Sequence, residues 1–183
     1  MAEECFDLLN SKGEKIGIQK ERSLVHRDGD WHRAVHIWIY RPDGQILLQR
    51  RCKTKDSFPN MLDISCAGHL VAGDDSLTGA LRELEEELGL LVSPESLRFV
   101  TTLKGESERR EGWYNREFAD VYFLQTKKSA GEMHFQKEEI SEIFFVSPKR
   151  LREMIAKKQK DLIMHQEEFD LLLNFLARET NAE

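Results

Sequence analysis

Several ingredients that would settle function at once are scarce or missing here. Cysteine occurs three times in 183 residues, as Cys5, Cys52 and Cys66, an odd number at wide spacings with no CxxC pair. That excludes a disulfide framework and fits reduced thiols in a cytosol-like compartment. Positive charge is in deficit, with 27 Lys and Arg against 33 Asp and Glu and a formal net charge of −6. An acidic chain is a poor generic partner for nucleic acid polymers or anionic membranes. A phosphorylated small molecule stays open, because local basic residues or a metal can hold one. No run of about 18 apolar residues occurs, so no membrane span is expected. The opening MAEECFDLLN has no basic region followed by an apolar run, so no signal peptide is expected. Pro/Gly linkers, repeats and low-complexity tracts are missing too. What is left is the expectation of a cytoplasmic protein with a single domain over residues 1–183 and one sizeable core.

What is present reads as strands with a few helices. CFDLLNSKGEKIGIQ suggests an N-terminal hairpin over about residues 4–20. AVHIWIY, RPDG and QILLQRR form a stronger hairpin signal, with Pro42, Asp43 and Gly44 supplying turn chemistry. SLRFVTTLKG, WYNREFADVYFLQ and EIFFV continue the strand pattern. Two C-terminal helices are expected over about 148–179, the first opened by Ser147-Pro148, the second burying Phe169, Leu172, Leu173 and Leu176. Interleaved strands and few helices predict an α/β protein with a mixed sheet covered by helices, not a doubly wound Rossmann sheet.

Between these lies GHLVAGDDSLTGALRELEEELGL, residues 68–90. Asp75 or Ser76 can cap a helix here, Gly89 can end it, and Leu77, Leu81, Leu84 and Leu88 form its apolar stripe. At about 100° per residue, Glu83, Glu86 and Glu87 share one face, whereas Glu85 turns to solvent. Such a run is most often a solvated surface. Held still by the leucines, it also offers oxygen ligands for a hard cation such as Mg²⁺.

The spacing decides. Gly68, Asp74, Arg82-Glu83, Glu86-Glu87 and Gly89-Leu90 resemble the Nudix box, Gly-x5-Glu-x7-Arg-Glu-U-x-Glu-Glu-x-Gly-U, departing from it only where Asp74 replaces a glutamate. The resemblance implies a Nudix α/β/α sandwich with a loop–helix–loop catalytic motif. It implies cleavage of a diphosphate linkage in a small molecule, a nucleoside diphosphate derivative or an isoprenoid diphosphate, by water attack on phosphorus. Carried over, Gly68 through its carbonyl, Glu83, Glu86 and Glu87 hold Mg²⁺, with Mn²⁺ as an alternative. Glu83 or Glu86 does catalytic work and Arg82 orients a glutamate. Asp74 is one methylene short of the usual acid.

HRAVHIWIY, then GQILLQRRCKTKDSFPNMLDISCAGHL, resembles the isopentenyl-diphosphate isomerase-like branch of the same superfamily, including the N-terminal Nudix domain of plant dual-domain hydrolases. That branch makes Arg51 and Lys55 substrate-binding residues. It also makes His26, His32, His69 and Glu117 an additional metal site or a packed cluster at the pocket mouth. Glu138 and Glu139 match a late-loop acid of Nudix enzymes, a weaker correspondence. The isomerase of that branch uses a cysteine where Ala67 stands and a carboxylate where Asn115 stands, and isomerisation needs proton delivery on one side of a double bond and removal on the other. Hydrolysis is therefore the leading reading, with an isomerase and a non-catalytic metabolite-binding module as rivals. Trp31, Trp38 and Trp113 are read as packing or as a stacking surface, and His36, His134 and His165 are given no role. Oligomeric state is open, a homodimer among the options.

Overall fold

The computed structural model describes residues 4–110 and 112–180; the ends of the expected 1–183 span, and residue 111, lie outside the described residues. The elements run β1 (Cys5–Leu9), β2 (Lys15–Glu21), α1 (Arg22–Asp28), β3 (Trp31–Tyr40), β4 (Ile46–Arg51), β5 (Leu62–Asp63) and β6 (Cys66–His69). Then follow α2 (Ser76–Leu88), β7 (Leu97–Arg110), β8 (Trp113–Gln125), β9 (Ile140–Val146), α3 (Pro148–Ala156) and α4 (Gln166–Thr180). The class is α/β, with a mixed sheet and helices on both faces. No helix among the described residues is long and apolar enough to cross a membrane.

β3 organises the sheet. It runs parallel to β8 from Trp31↔Arg116 to Tyr40↔Gln125, and antiparallel to β6 from Ala34↔His69 to Ile37↔Cys66. Alternate side chains leave a strand on opposite faces. Val35, Ile37 and Ile39 enter the cluster that receives Ala80, Leu84 and Leu88 of α2. Trp38 and Tyr40 enter the one that receives Leu151 and Met154 of α3 and Phe169, Leu172, Leu173 and Leu176 of α4. With both faces covered, the strand reads as a nearly unbroken apolar run.

The β3–β4 hairpin forms, but its strands pair only at Tyr40↔Ile46. Beyond that point they part, and β4 turns to β9 on one side and β5 on the other. Ser65, fully buried, fills the gap: its hydroxyl accepts the Ile39 N–H at 2.8 Å and donates to the Leu47 carbonyl at 2.7 Å. The result is two arms, β6-β3-β8-β7 and β9-β4-β5, and the functional cavity draws on both.

Helix α1 is the element the sequence pattern does not foreshadow. It has seven residues, Glu21 supplies no side-chain cap, and its one punctuating signal is Gly29, which ends it at φ 70°. It buries Val25 against Phe6 and Leu8 and carries His26 inward.

Ser65→Ala should cost about 2–4 kcal/mol, because it strands a buried N–H and a buried carbonyl at the point where the hairpin opens. Urea denaturation of the full chain measures this; a loss below about 0.5 kcal/mol would mean the gap closes without the hydroxyl.

Candidate active site

The site begins with the capping of α2. The Asp75 carboxylate accepts the Thr78 N–H at 2.8 Å, and Gly89, at φ 62°, closes the helix with its N–H on the Glu85 carbonyl. Leu84 and Leu88 are fully buried, and Leu77 and Leu81 pack partly buried against the same cluster. This fixes the rotation of the helix. Glu83 and Glu87 are thereby driven inward to 8% exposure each, Glu86 stays at the rim with over half its side chain exposed, and Glu85 faces solvent.

Arg82 ties the acidic face to the preceding loop. It meets Glu83 Oε1 at 2.8 Å, Glu86 Oε2 at 3.1 Å, the His69 carbonyl at 3.0 Å and Asp74 at 3.4 Å. The Glu83 carboxylate lies directly on the backbone of Gly68: a Cβ at that position would sit 2.0 Å from Glu83 Cδ. With Glu83 in this position only glycine leaves room there.

Burial raises the pKa of Glu83 despite Arg82. Burial and the neighbouring Glu83 charge push Glu87 up to about 7, against the Cys66 thiol and Ala67 amide, which favour its charged form. Glu87 Oε2 is buried with no hydrogen-bond partner among the described residues. A buried, partnerless carboxylate oxygen beside a second carboxylate fits a divalent cation. Cys66 faces the α2 cluster, whereas Ala67 lines the cavity, as strand alternation requires.

The cavity, of about 470 Å³, has Gly68, Glu83, Glu86 and Glu87 on one part of its wall. Arg51, Lys55, Glu117, Glu139 and His69 also line it. Arg51 is anchored, donating to Asp63 at 3.1 Å and to Ser57 through its carbonyl and hydroxyl. Lys55 is ion-paired with Glu139. Burial and the nearby Arg51 charge lower its pKa. Of the two late-loop acids, Glu139 reaches the cavity, whereas Glu138 is exposed and does not line it.

The three histidines read as a cluster do meet. His26, His32 and His69 offer ring nitrogens within 4.8 Å of one another. Phe6 stacks on His32 and His69 at 5.4 and 4.9 Å, and Trp113 on His26 at 4.6 Å. His26 Nδ1 lies 3.1 Å from the Tyr114 carbonyl and His32 Nδ1 3.1 Å from the Asp30 carbonyl. A carbonyl only accepts, so both Nδ1 atoms carry the proton, and in the neutral ring Nε2 holds the lone pair a metal needs. Glu117 stands opposite His32 in the β3–β8 register, and Asn115 is buried.

Trp38 is fully buried and Trp31 packs on Phe118. The sequence reading missed His36 and His165, both of which line the cavity. His36 sits in an apolar strand, and His165 stands 102 residues from Asp63, its partner at 2.9 Å. No local spacing could have joined them.

Comparison with known proteins agrees with this geometry. The NUDIX domain family model matches residues 30–166, a span that contains the whole 68–90 segment. The chain belongs to the NUDIX domain family. It is 44% identical over 162 residues to Nudix hydrolase 3 of Arabidopsis thaliana, covering 86% of this chain but 21% of that protein. An uncharacterized Nudix hydrolase of Clostridium acetobutylicum is 34% identical over 143 residues, covering 76% of this chain and 68% of the other. A Deinococcus radiodurans crystal structure superposes with a TM-score of 0.67 at 24% identity, covering 92% of this chain and 97% of that one, which speaks for the fold.

In the Nudix box the Glu87 pKa carries a consequence for stability. An acid whose folded pKa rises from the ordinary 4.5 to about 7 weakens the fold once it ionises. The penalty is absent at low pH, grows across that window and is constant above it. In metal-free buffer, Glu87→Gln should therefore be near neutral at about pH 4 and stabilise by on the order of 3 kcal/mol at about pH 8. Urea titrations at the two pH values check this; an equal effect at both would remove the charge as the cause.

Proposed function

We propose that this protein is a Mg²⁺-dependent Nudix hydrolase, with Mn²⁺ as an alternative ion, cleaving a diphosphate linkage in a small molecule. A nucleoside diphosphate derivative or an isoprenoid diphosphate is the substrate class. The observation that carries this is the partnerless Glu87 oxygen beside Glu83, opening on a cavity that also presents Arg51 and Lys55. Gly68 through its carbonyl, Glu83, Glu86 and Glu87 would hold the cation. Bound there, it supplies charge screening and polarisation at the phosphorus under attack.

The chain's own groups do the remaining work. Arg82 bonds Glu83 and Glu86 at once and so keeps two acidic groups in a set relation to each other. Glu83, with its raised pKa, takes a proton from the attacking water. Glu139 is the second candidate for that role. Arg51 and Lys55 neutralise non-bridging oxygens, and a phosphoryl group competes with Glu139 for Lys55. Cytoplasmic location and a single domain belong to the same reading.

The isomerase-like branch resemblance has one observation of its own in its favour, the convergence of His26, His32 and His69 with Glu117 close by. Proton transfer to and from a double bond requires an acid and a base on opposite sides. Ala67 faces the cavity with a methyl group, and the Cys66 thiol is turned into the α2 core with its pKa raised by burial. Hydrolysis is the better supported chemistry.

A panel of nucleotide sugars, dinucleotides, nucleoside di- and triphosphates and prenyl diphosphates, run with Mg²⁺ and Mn²⁺, should reveal a substrate by phosphate analysis. Glu86→Gln combined with Glu87→Gln should lower its turnover by at least about 10³-fold. Activity surviving both changes would move the reaction away from α2. Deuterium entering isopentenyl diphosphate from solvent would favour the isomerase instead.

Gly68→Ala separates site from scaffold. The new methyl group meets the far end of the Glu83 side chain, not backbone. Stability should change by less than about 1 kcal/mol, whereas Mn²⁺ affinity, read by electron paramagnetic resonance, should fall at least about tenfold. Unchanged Mn²⁺ affinity would mean that Glu83 does not bind the ion.

A further inference from the structure

One part of the cavity wall is not accounted for by the Nudix box. Side chains from β3, β4, β5 and the start of α4 form a single polar network there. Arg51 donates to Asp63 Oδ2 at 3.1 Å. Asp63 Oδ1 meets His165 Nε2 at 2.9 Å. His165 Nδ1 lies 3.6 Å from Glu168 Oε1, which meets His36 Nδ1 at 2.8 Å. Trp38 Nε1 donates to the other Glu168 oxygen at 2.7 Å.

The charges do not balance. Two carboxylates serve three cationic groups, and the carboxylates are the more deeply buried members: Asp63 is 6% exposed and Glu168 4%. Burial opposes charge on His36, but Glu168 overrides it and raises the pKa. Burial likewise opposes His165, yet Asp63 and Glu168 push it up to about 10. With both imidazoles protonated, the network holds one more positive group than negative, and the Glu117 charge also favours the protonated His36.

Two of the network's cationic members, His36 and Arg51, line the cavity. His36 Nδ1 is the ring nitrogen that Glu168 engages, which leaves Nε2 as the nitrogen able to meet a ligand. Arg51 commits Nε and one N–H on each terminal nitrogen to Ser57 and Asp63, so each terminal nitrogen keeps a second N–H. An imidazolium N–H and two guanidinium N–H groups on the wall of one cavity suit the oxygens of a tetrahedral phosphoryl group.

We propose that His36 is a substrate-binding residue that, with Arg51, grips non-bridging phosphoryl oxygens, and that Glu168 and His165 are positioning residues holding His36 in place. The inference rests on the diphosphate hydrolase reading and adds a second, cationic grip to it. The trio His36, His165 and Glu168 also brings possible metal-ligand atoms within 4.8 Å of one another. Holding an ion there would require nitrogens that now donate to carboxylates to lose their protons.

The test uses the full chain with ¹⁵N-labelled histidine in EDTA, titrated with inorganic pyrophosphate and followed by the ring ¹H–¹⁵N signals. The His36 signals should move saturably, with the dissociation constant that calorimetry gives. His36→Asn should raise that constant about tenfold or more. Glu168→Gln should raise it less and carry the His36 signals toward those of a neutral ring. If either variant fails to fold, the wild-type titration still decides. His36 signals that stay still at saturation overturn the proposal, as does stoichiometric zinc binding that removes the ring protons of His36 and His165. Metal-dependent hydrolysis with an unmoved His36 defeats this inference alone. Pyrophosphate bound at His36 in a protein that hydrolyses nothing defeats the hydrolase reading and leaves this one standing.

Discussion

The structure turns on one unfavourable act, the burial of Glu83 and Glu87 side by side. Two carboxylates in a weakly polar environment repel each other and lose hydration, a cost that no fold accepts without compensation. Part of the compensation is visible: Arg82 holds Glu83 from one side and the Cys66 thiol and Ala67 amide favour charge on Glu87 from another. Lys55 adds a charge that favours ionised Glu87, but among the described residues Glu87 Oε2 keeps no hydrogen-bond partner. The leucine stripe of α2 enforces the burial. Leu84 and Leu88 cannot leave the core without exposing a large apolar area, so the glutamates one residue away on the helix cannot leave either.

That constraint makes sense of the sheet. A cavity able to bring cations up to such a helix needs side chains from strands that are not neighbours. The opening of the β3–β4 hairpin provides them, because β5 pairs with the β4 arm while β6 pairs with β3. Ser65 stands at the parting of the arms and supplies the two hydrogen bonds the strands no longer give each other. The apolar pattern of AVHIWIY, which needs cover on both faces, is then a condition of the site as well as of the core.

How much of this was legible in the sequence follows from the range of the interactions. The helix, its Asp75 cap, its Gly89 end and the shared face of its glutamates are local, set by residues three or four apart. So is the spacing that marks the Nudix box. The meeting of His26, His32 and His69 was legible only through resemblance, since α1, which delivers His26, has neither length nor a capping side chain to announce it. His36 and His165 were passed over for a different reason. Each looks ordinary in its own segment, and their meaning comes from Asp63 and Glu168, which register and packing bring from elsewhere. Glu86 shows the opposite limit: the periodicity placed it with Glu83 and Glu87, but depth below the surface is not periodic, and it lies at the rim.

Asp74 is the one departure from the box, and the geometry says what it changes. A glutamate there would have one more methylene with which to reach Arg82; the aspartate stops at 3.4 Å from Nε, a long and weak contact. The guanidinium nevertheless keeps closer bonds to Glu83, to Glu86 and to the His69 carbonyl. Its position is therefore over-determined, and shortening one of four tethers leaves the orientation of the two glutamates intact. The last of these bonds matters most for the cavity, because it joins the helix to the strand residue that follows Gly68. Through it, the acids that would hold a cation and the backbone carbonyl that would complete the set belong to one rigid piece.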